Sequence, residues 1–178
     1  MKIIKTKIKG VLIIQNKLFK DNRGYFTESY NHKKFKQLNI NTTLQDNVSF
    51  NRQKYTFRGL HYQTKPIAQS KLIRVDQGEI LDFILDLRPR SKTFLSMITV
   101  KLSEKYQKQI YIPKGLAHGY LTLKPNTKVH YKVDEYYSPK HERGINIKDP
   151  KLKFNKINVN KFILNKKDKN LPFLDEKH

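Results

Sequence analysis

The run Phe57-Arg58-Gly59-Leu60-His61-Tyr62-Gln63 sets a guanidinium, a glycine, an imidazole and a phenol within seven otherwise strand-like residues. About fifty residues later, Ile112-Pro113-Lys114-Gly115-Leu116-Ala117-His118-Gly119-Tyr120 makes a turn and then carries a second imidazole, His118, on the strand that follows. Two histidines offered by two strands point to one shared pocket. Imidazole chemistry divides into two kinds, metal ligation and proton transfer, and the spacing separates them.

Residues 113–118 have the second-motif spacing of metal-binding cupins. A metal would also need an imidazole two residues after His61, where Gln63 stands, and a carboxylate shortly beyond, where Lys65, Pro66 and Ile67 stand. Two histidines without a nearby carboxylate fall short of the three or four protein ligands such sites take. The expectation is no bound metal, and chemistry done by organic acids and bases. With no cysteine, thiolate ligands, disulfides and a thiol nucleophile are excluded.

The elements that must position these groups are short and mostly extended. Strand-like runs cover residues 10–19, 25–29, 45–50, 56–63, 71–75, 79–87, 94–102, 109–112, 118–123 and 128–137. Residues 79–87 put Ile80, Asp82, Ile84 and Asp86 on one face and Leu81, Phe83, Leu85 and Leu87 on the other, a mixed pattern suited to a strand inside a sandwich. One short helix is expected at residues 32–38, capped by Asn31. Many short strands separated by turns indicate an all-β jelly-roll sandwich, with an irregular C-terminal arm from about Asp149. At 178 residues, one domain over residues 1–178 is the expectation.

The bulk charge is +22, from 37 Lys+Arg against 15 Asp+Glu. Lysines are spread through every segment, as drifting base composition would leave them, and they also suit an anionic substrate. A nucleic-acid partner is not expected from so dispersed a charge. The N-terminal residues are charged too often for a signal sequence, and no apolar run is long enough to span a bilayer, so a soluble, cytoplasmic protein is expected.

Seven pieces, in order, carry a family resemblance: Asp21 to Glu28, Gln45-Asp46-Asn47, Arg58 to Gln63, Lys71 to Arg74, Pro113 to Gly119, Tyr131-Lys132, and Asp134 to Tyr137. Together they resemble the dTDP-4-dehydrorhamnose 3,5-epimerase family of cupins, over residues 10–172. The resemblance implies a homodimer that inverts carbons 3 and 5 of a 4-keto-6-deoxy sugar on a nucleoside diphosphate, with no cofactor, in the rhamnose branch of surface polysaccharide synthesis. It implies His61 as the base, Asp168 orienting its ring, Lys71 beside the ketone oxygen, and Tyr131 as the acid on the opposite sugar face. Substrate binding falls by the same resemblance to Arg23, Phe26, Glu28, Gln45, Asn47, Arg58, His118, Tyr137, Glu142 and Lys167. Arg23 and Arg58 suit a pyrophosphate because a planar fork gives paired charge-assisted bonds. Phe26 and Tyr137 offer aromatic faces to the base.

These residue types fit the reaction. A hydrogen beside a ketone leaves only if a base takes it and a cation holds the charge that develops on oxygen. Inversion then needs a proton delivered from the other face. The tail departs from the family pattern: Asp149-Pro150 leads into Lys151-Leu152-Lys153-Phe154-Asn155-Lys156 without tryptophan, and Asn165 stands where serine is common. That leaves the placement of Lys167 and Asp168 open to within a residue or so. Two further readings stand beside the main one: an epimerase acting at one carbon or on a related nucleotide sugar, and a non-enzymatic binder of anions or nucleic acid.

Overall fold

The structure, a computed structural model, describes residues 1–42, 44–152 and 157–174. In chain order its strands are β1 (Lys2–Lys5), β2 (Leu12–Gln15), β3 (Phe19–Asp21), β4 (Gly24–Phe26), β5 (Gln45–Asn51), β6 (Phe57–Gln63) and β7 (Lys71–Gln77). They continue as β8 (Glu79–Asp86), β9 (Met97–Ser103), β10 (Lys108–Ile112), β11 (Leu116–Thr122), β12 (Thr127–Val133) and β13 (Glu142–Gly144). Six form one antiparallel sheet, ordered β1-β2-β10-β7-β12-β5, and five form another, β13-β6-β11-β8-β9. A separate hairpin pairs β3 with β4.

Alternation in the strands builds the core. Ile73 and Val75 of β7, Ile110 of β10 and Val129 of β12 meet Ile80 and Ile84 of β8, Leu102 of β9 and Tyr120 of β11 between the sheets. The outer face of the five-stranded sheet presents Phe57, Phe83, Leu85 and Leu121, covered by Ile145 and Ile147, which follow β13, and by Leu152, Leu164 and Leu174 of the C-terminal arm. On the outer face of the six-stranded sheet, Ile14 and Leu72 receive Phe35 and Ile40. Phe35 lies on α1 (His32–Lys36), whose first turn is closed by the Asn31 side chain accepting from Lys34 N–H at 3.1 Å. Removing such large apolar side chains from water is worth about 1.5–3 kcal/mol each.

The result is a jelly-roll sandwich with short helices, as the strand pattern implies. Details differ for local reasons. The run 10–19 is interrupted and yields two strands, β2 and β3. Strand β9 starts only at Met97, because a turn closes with Ser96 N–H donating to the Thr93 carbonyl. Strands β1 and β13 are short and charged, so their alternation is hidden in sequence. The arm carries one turn of 3₁₀ helix at Val159–Lys161 and α2 (Lys166–Lys169). Residues 153–156 of the departing Asp149-Pro150 segment lie outside the described residues.

Candidate active site

Strand β6 changes face inside the motif that carries His61. Phe57 and Leu60 both pack into the outer core, while Arg58 and His61 line one cavity. Against β11, His61 pairs with His118 and Arg58 with Tyr120, so three residues of β6 span two of β11. That extra residue is a bulge, and it re-aims the side chains on either side. Gly59 makes it possible: its φ is +129°, and a Cβ there would meet Gly119 Cα at 2.6 Å and the His118 carbonyl oxygen at 2.8 Å.

Facing His61 across the inter-sheet space are Lys71 of β7 and Tyr131 of β12. Each shares the inward parity of its apolar neighbours, Ile73 and Val75 on β7 and Val129 on β12. His61, Lys71 and Tyr131 line two adjoining cavities. One of about 400 Å³ is completed by Ser49, Arg58, His118, Tyr120, Asn165 and Asp168, among others. The other, of about 380 Å³, includes Gln45, Asn47, Gln63, Gln69, Tyr137 and Glu142.

The His61 ring is held from behind. Its Nε2 lies 2.9 Å from Asp168 Oδ1, and the second carboxylate oxygen of Asp168 accepts from Gly59 N–H at 3.2 Å. Asp168 is only 1% exposed, so both oxygens are committed in a dry place. An Asp carboxylate accepts and does not donate, so Nε2 carries the hydrogen and the Nδ1 lone pair is left for chemistry. Nδ1 is 3.9 Å from Glu142 Oε1. Glu142 Oε2 in turn takes Lys167 Nζ at 2.5 Å and Tyr137 O–H at 2.7 Å.

Electrostatics separate the roles. Burial lowers the Lys71 ammonium from 10.5 to about 8, against opposing pulls from Glu142 and Asp82. Burial raises the Tyr131 phenol, which therefore stays protonated through the neutral range. His118 Nε2 lies 2.7 Å from Asp82 Oδ1, and Asp82 is fully buried with its other oxygen unpartnered. Burial raises the Asp82 carboxyl, with His118 and Lys71 opposing. Among the described residues no group of three or more His, Asp or Glu side chains is arranged to hold a metal ion.

Of the residues expected from sequence, His61, Lys71, Tyr131, Asp168, Arg58 and His118 meet in the first cavity, and Gln45, Asn47, Tyr137 and Glu142 in the second. Lys167 joins them through Glu142. Arg23, Phe26 and Glu28 do not. Arg23 bonds Asp21 on the exposed β3–β4 hairpin, Phe26 is 70% exposed, and Glu28 pairs with Lys34 at 3.0 Å. Sequence reasoning missed Asp82, Ser49 and Asn51. An acidic residue alternating with Ile80 and Ile84 on an apolar face is the signal that could have found Asp82. Ser49 and Asn51 bond Tyr120 and Arg58, and nothing in their local sequence marks them.

A family model described as dTDP-4-dehydrorhamnose 3,5-epimerase matches residues 5–176. An Escherichia coli (strain K12) dTDP-4-dehydrorhamnose 3,5-epimerase is 38% identical, with 99% of this chain and 96% of that protein covered. The crystal structure of the Bacillus anthracis dTDP-4-dehydrorhamnose 3,5-epimerase with TDP and PPi bound is 45% identical, covers 97% of this chain and 99% of that one, and superposes with a TM-score of 0.93. A dTDP-6-deoxy-D-glucose-3,5-epimerase from Legionella pneumophila, in complex with dTDP-4-keto-L-rhamnose, is 37% identical over 97% of this chain and 92% of that one, with a TM-score of 0.90.

Proposed function

We propose, from the premise that the chain belongs to the dTDP-4-dehydrorhamnose 3,5-epimerase family, that His61 and Tyr131 exchange protons on opposite faces of a 4-keto-6-deoxy sugar lying between the two sheets. The protein is a dTDP-sugar 3,5-epimerase. We assign to it the conversion of dTDP-4-dehydro-6-deoxy-D-glucose to dTDP-4-dehydro-L-rhamnose. One observation carries the residue assignment: the imidazole and the phenol come from different sheets and line the same cavities.

His61 Nδ1 takes the hydrogen next to the ketone, and Asp168 stabilises the imidazolium that results. Lys71 holds the charge on the enolate oxygen, where a cation in a dry cavity is worth far more than in water. Tyr131 returns a proton from the other side. The same pair acts at carbon 3 and at carbon 5, both adjacent to the carbonyl; between the two inversions the His61 imidazolium gives its proton to solvent and the Tyr131 phenolate takes one back. His118, held by Asp82, and Arg58, held by Asn51 at 2.8 Å, are polar contacts for the sugar and diphosphate. Tyr137, Gln45, Asn47 and Glu142 take the nucleoside end. No step calls for a cofactor.

Arg23, Phe26 and Glu28 bind substrate in this reading from a second copy of the chain. Their hairpin leaves Phe19, Tyr25 and Phe26 half or more exposed, and the edge strand β5 exposes Val48 and Phe50. An edge strand with bare apolar side chains needs a cover, and a homodimer supplies one. No helix among the described residues is long and apolar enough to cross a membrane. We assign the enzyme to the cytoplasm with its nucleotide-linked substrate.

The test is to incubate the protein with dTDP-4-keto-6-deoxyglucose in deuterium oxide and read hydrogen exchange by NMR. Exchange at both C3 and C5, lost in His61→Ala, supports the assignment. Exchange at one carbon alone makes the protein a single-carbon epimerase, and full exchange in His61→Ala removes the base.

A further inference from the structure

Asp168 reaches His61 from 107 residues away, on a helix of a single turn. Isolated helices this short are unstable in water, so something outside α2 must hold it. The approach to it is fixed first. Ile163 makes a parallel bridge with Thr56, its carbonyl accepting from Phe57 N–H at 2.9 Å and its own N–H donating to Tyr55 at 2.8 Å. Lys167 of the turn reaches Glu142 of β13, and two asparagines hold the backbone, one at each end of the turn.

At the N-terminus the Asn165 side chain accepts from Asp168 N–H at 2.7 Å, and the Asn165 carbonyl accepts from Lys169 N–H at 3.1 Å. The capped N–H belongs to the same residue whose carboxylate holds His61. At the C-terminus the Asn146 amide donates to the carbonyls of Lys169 at 3.0 Å and Leu171 at 3.2 Å. Asn146 is 7% exposed; its side-chain oxygen accepts from Lys148 N–H, and its own N–H donates to the Pro172 carbonyl. With its carbonyl accepting from Asp149 N–H, every polar group of Asn146 is spent on residues 148–172.

Asn146 also sits where it can couple the two halves of the dyad. Its neighbours Gly144 and Ile145 extend β13 along β6: Gly144 pairs with His61, and Ile145 exchanges two backbone bonds with Leu60. Three consecutive residues thus grip the strand that carries the imidazole and the turn that carries the carboxylate. Gly144 keeps the two close, since a Cβ there would meet Leu171 at 2.6 Å and the Leu60 carbonyl oxygen at 2.8 Å.

We infer that Asn146 and Asn165 are positioning residues for the reaction, a pair of amides that clamps the Asp168 turn at both ends and so fixes the tautomer and angle of His61. This rests on the assignment of His61 and Asp168 above. Neither asparagine donates or accepts a substrate proton. Their effect is geometric, and a displacement of about 1 Å at a reacting group costs up to roughly a hundredfold in rate.

The experiment compares Asn146→Ala, Asn165→Ala, Asn165→Ser and Asp168→Asn with the parent protein. It measures kcat and KM for the nucleotide sugar, the ¹⁵N spectrum of the His61 ring, and the urea midpoint. Both alanine variants are expected to lower kcat about tenfold or more, with a smaller change in KM, and to weaken the signal of the Nε2–H tautomer. Asn165→Ser is expected to restore both, because serine caps a helix about as well as asparagine. Asn165 is exposed, so its variants test the idea even if Asn146→Ala does not fold. Wild-type kcat and an unchanged His61 spectrum in Asn165→Ala overturn the clamp, as does a kcat loss that only tracks the unfolded fraction. If Asp168→Asn itself keeps full kcat, the dyad assignment fails instead.

Discussion

Arg58 and His61 stand three residues apart on one strand and line the same cavity. Regular alternation would send them to opposite faces, and the bulge at Gly59 brings them back together. Gly59→Ala puts a methyl into the backbone of β11 at a positive φ. The expected cost is about 1–3 kcal/mol of stability, with a fall in kcat well beyond what the folded fraction explains. Denaturant melts and kcat measured on the same samples check this. Activity that simply follows the folded fraction would show that the face change is dispensable.

That bulge marks a limit of the sequence. The apolar strands bounded by turns, such as β7 and β8, are legible, and with them the sandwich and the capped α1. Arg58, Gly59 and His61 were readable as a working strand, but not the face change, which needs β11 as a partner. Asp168 illustrates the same point. Locally it is one acid between lysines, and only its packing against Gly59 and His61 makes it 1% exposed. Arg23 and Phe26 of the hairpin, and Glu28 just beyond it, are marked by resemblance alone, and within one chain they stay outside the cavities.

In the proposed mechanism the opposite-sheet arrangement of His61 and Tyr131 separates the two proton transfers. His61→Ala is expected to abolish exchange at C3 and C5 while near-native circular dichroism is kept. Tyr131→Phe retains abstraction and loses the returning acid, so solvent exchange should survive better than net inversion. Deuterium incorporation set against product formation distinguishes them. Equal losses of both in Tyr131→Phe would remove the phenol from its role.

If Lys71 holds the enolate charge as proposed, it gives the reaction a basic limit. Its ammonium titrates at about 8 because burial disfavours the charge, and the enolate needs that charge. kcat/KM, which reports the free enzyme, is expected to fall as pH rises through about 8. A guanidinium stays charged there, so Lys71→Arg should move the limb upward at reduced overall rate. For stability the sign is opposite: a lowered ammonium pKa means the folded state binds fewer protons, so the burial cost is relieved as pH rises from about 8 towards the ordinary 10.5. A limb that stays at 8 in Lys71→Arg belongs to another group.

Away from the cavities, Asp86 ties the loop after β8. It takes Arg88 Nε at 2.8 Å, Ser91 at 2.6 Å and Thr93 at 2.7 Å, with no exposed surface of its own. Burial alone would raise its carboxyl, but these donors outweigh it and hold it well below the usual range. Asp86→Ala is expected to lose about 1–3 kcal/mol, the cost of stranding buried polar groups, with kcat per folded molecule unchanged. A depressed carboxylate stabilises above its unfolded pKa, and that contribution fades as pH falls towards the folded one. The gap between parent and variant in urea midpoint should therefore be full near pH 7 and narrow in acid. A constant gap would mean that packing, not charge, is what Asp86 supplies.

Phe26 and His61 belong to different active sites if the hairpin serves a second copy. The β3–β4 hairpin is exposed and its Arg23 bonds Asp21 of the same hairpin, so a chain lacking Phe26 keeps an intact base. A chain carrying His61→Ala keeps an intact hairpin. Each homodimer, Phe26→Ala or His61→Ala, is then impaired at both of its sites, the first chiefly in KM and the second in kcat. Co-refolding the two in equal amounts makes half of the dimers mixed, and each mixed dimer has one site with its own His61 and its partner's hairpin. Activity at low substrate should recover to roughly a quarter of the parent value, as expected for random assortment of an isologous pair. Recovery shows that the site is built from two chains. No recovery, with mixed dimers present by mass spectrometry, means the hairpin folds over its own cavity or does not bind substrate at all.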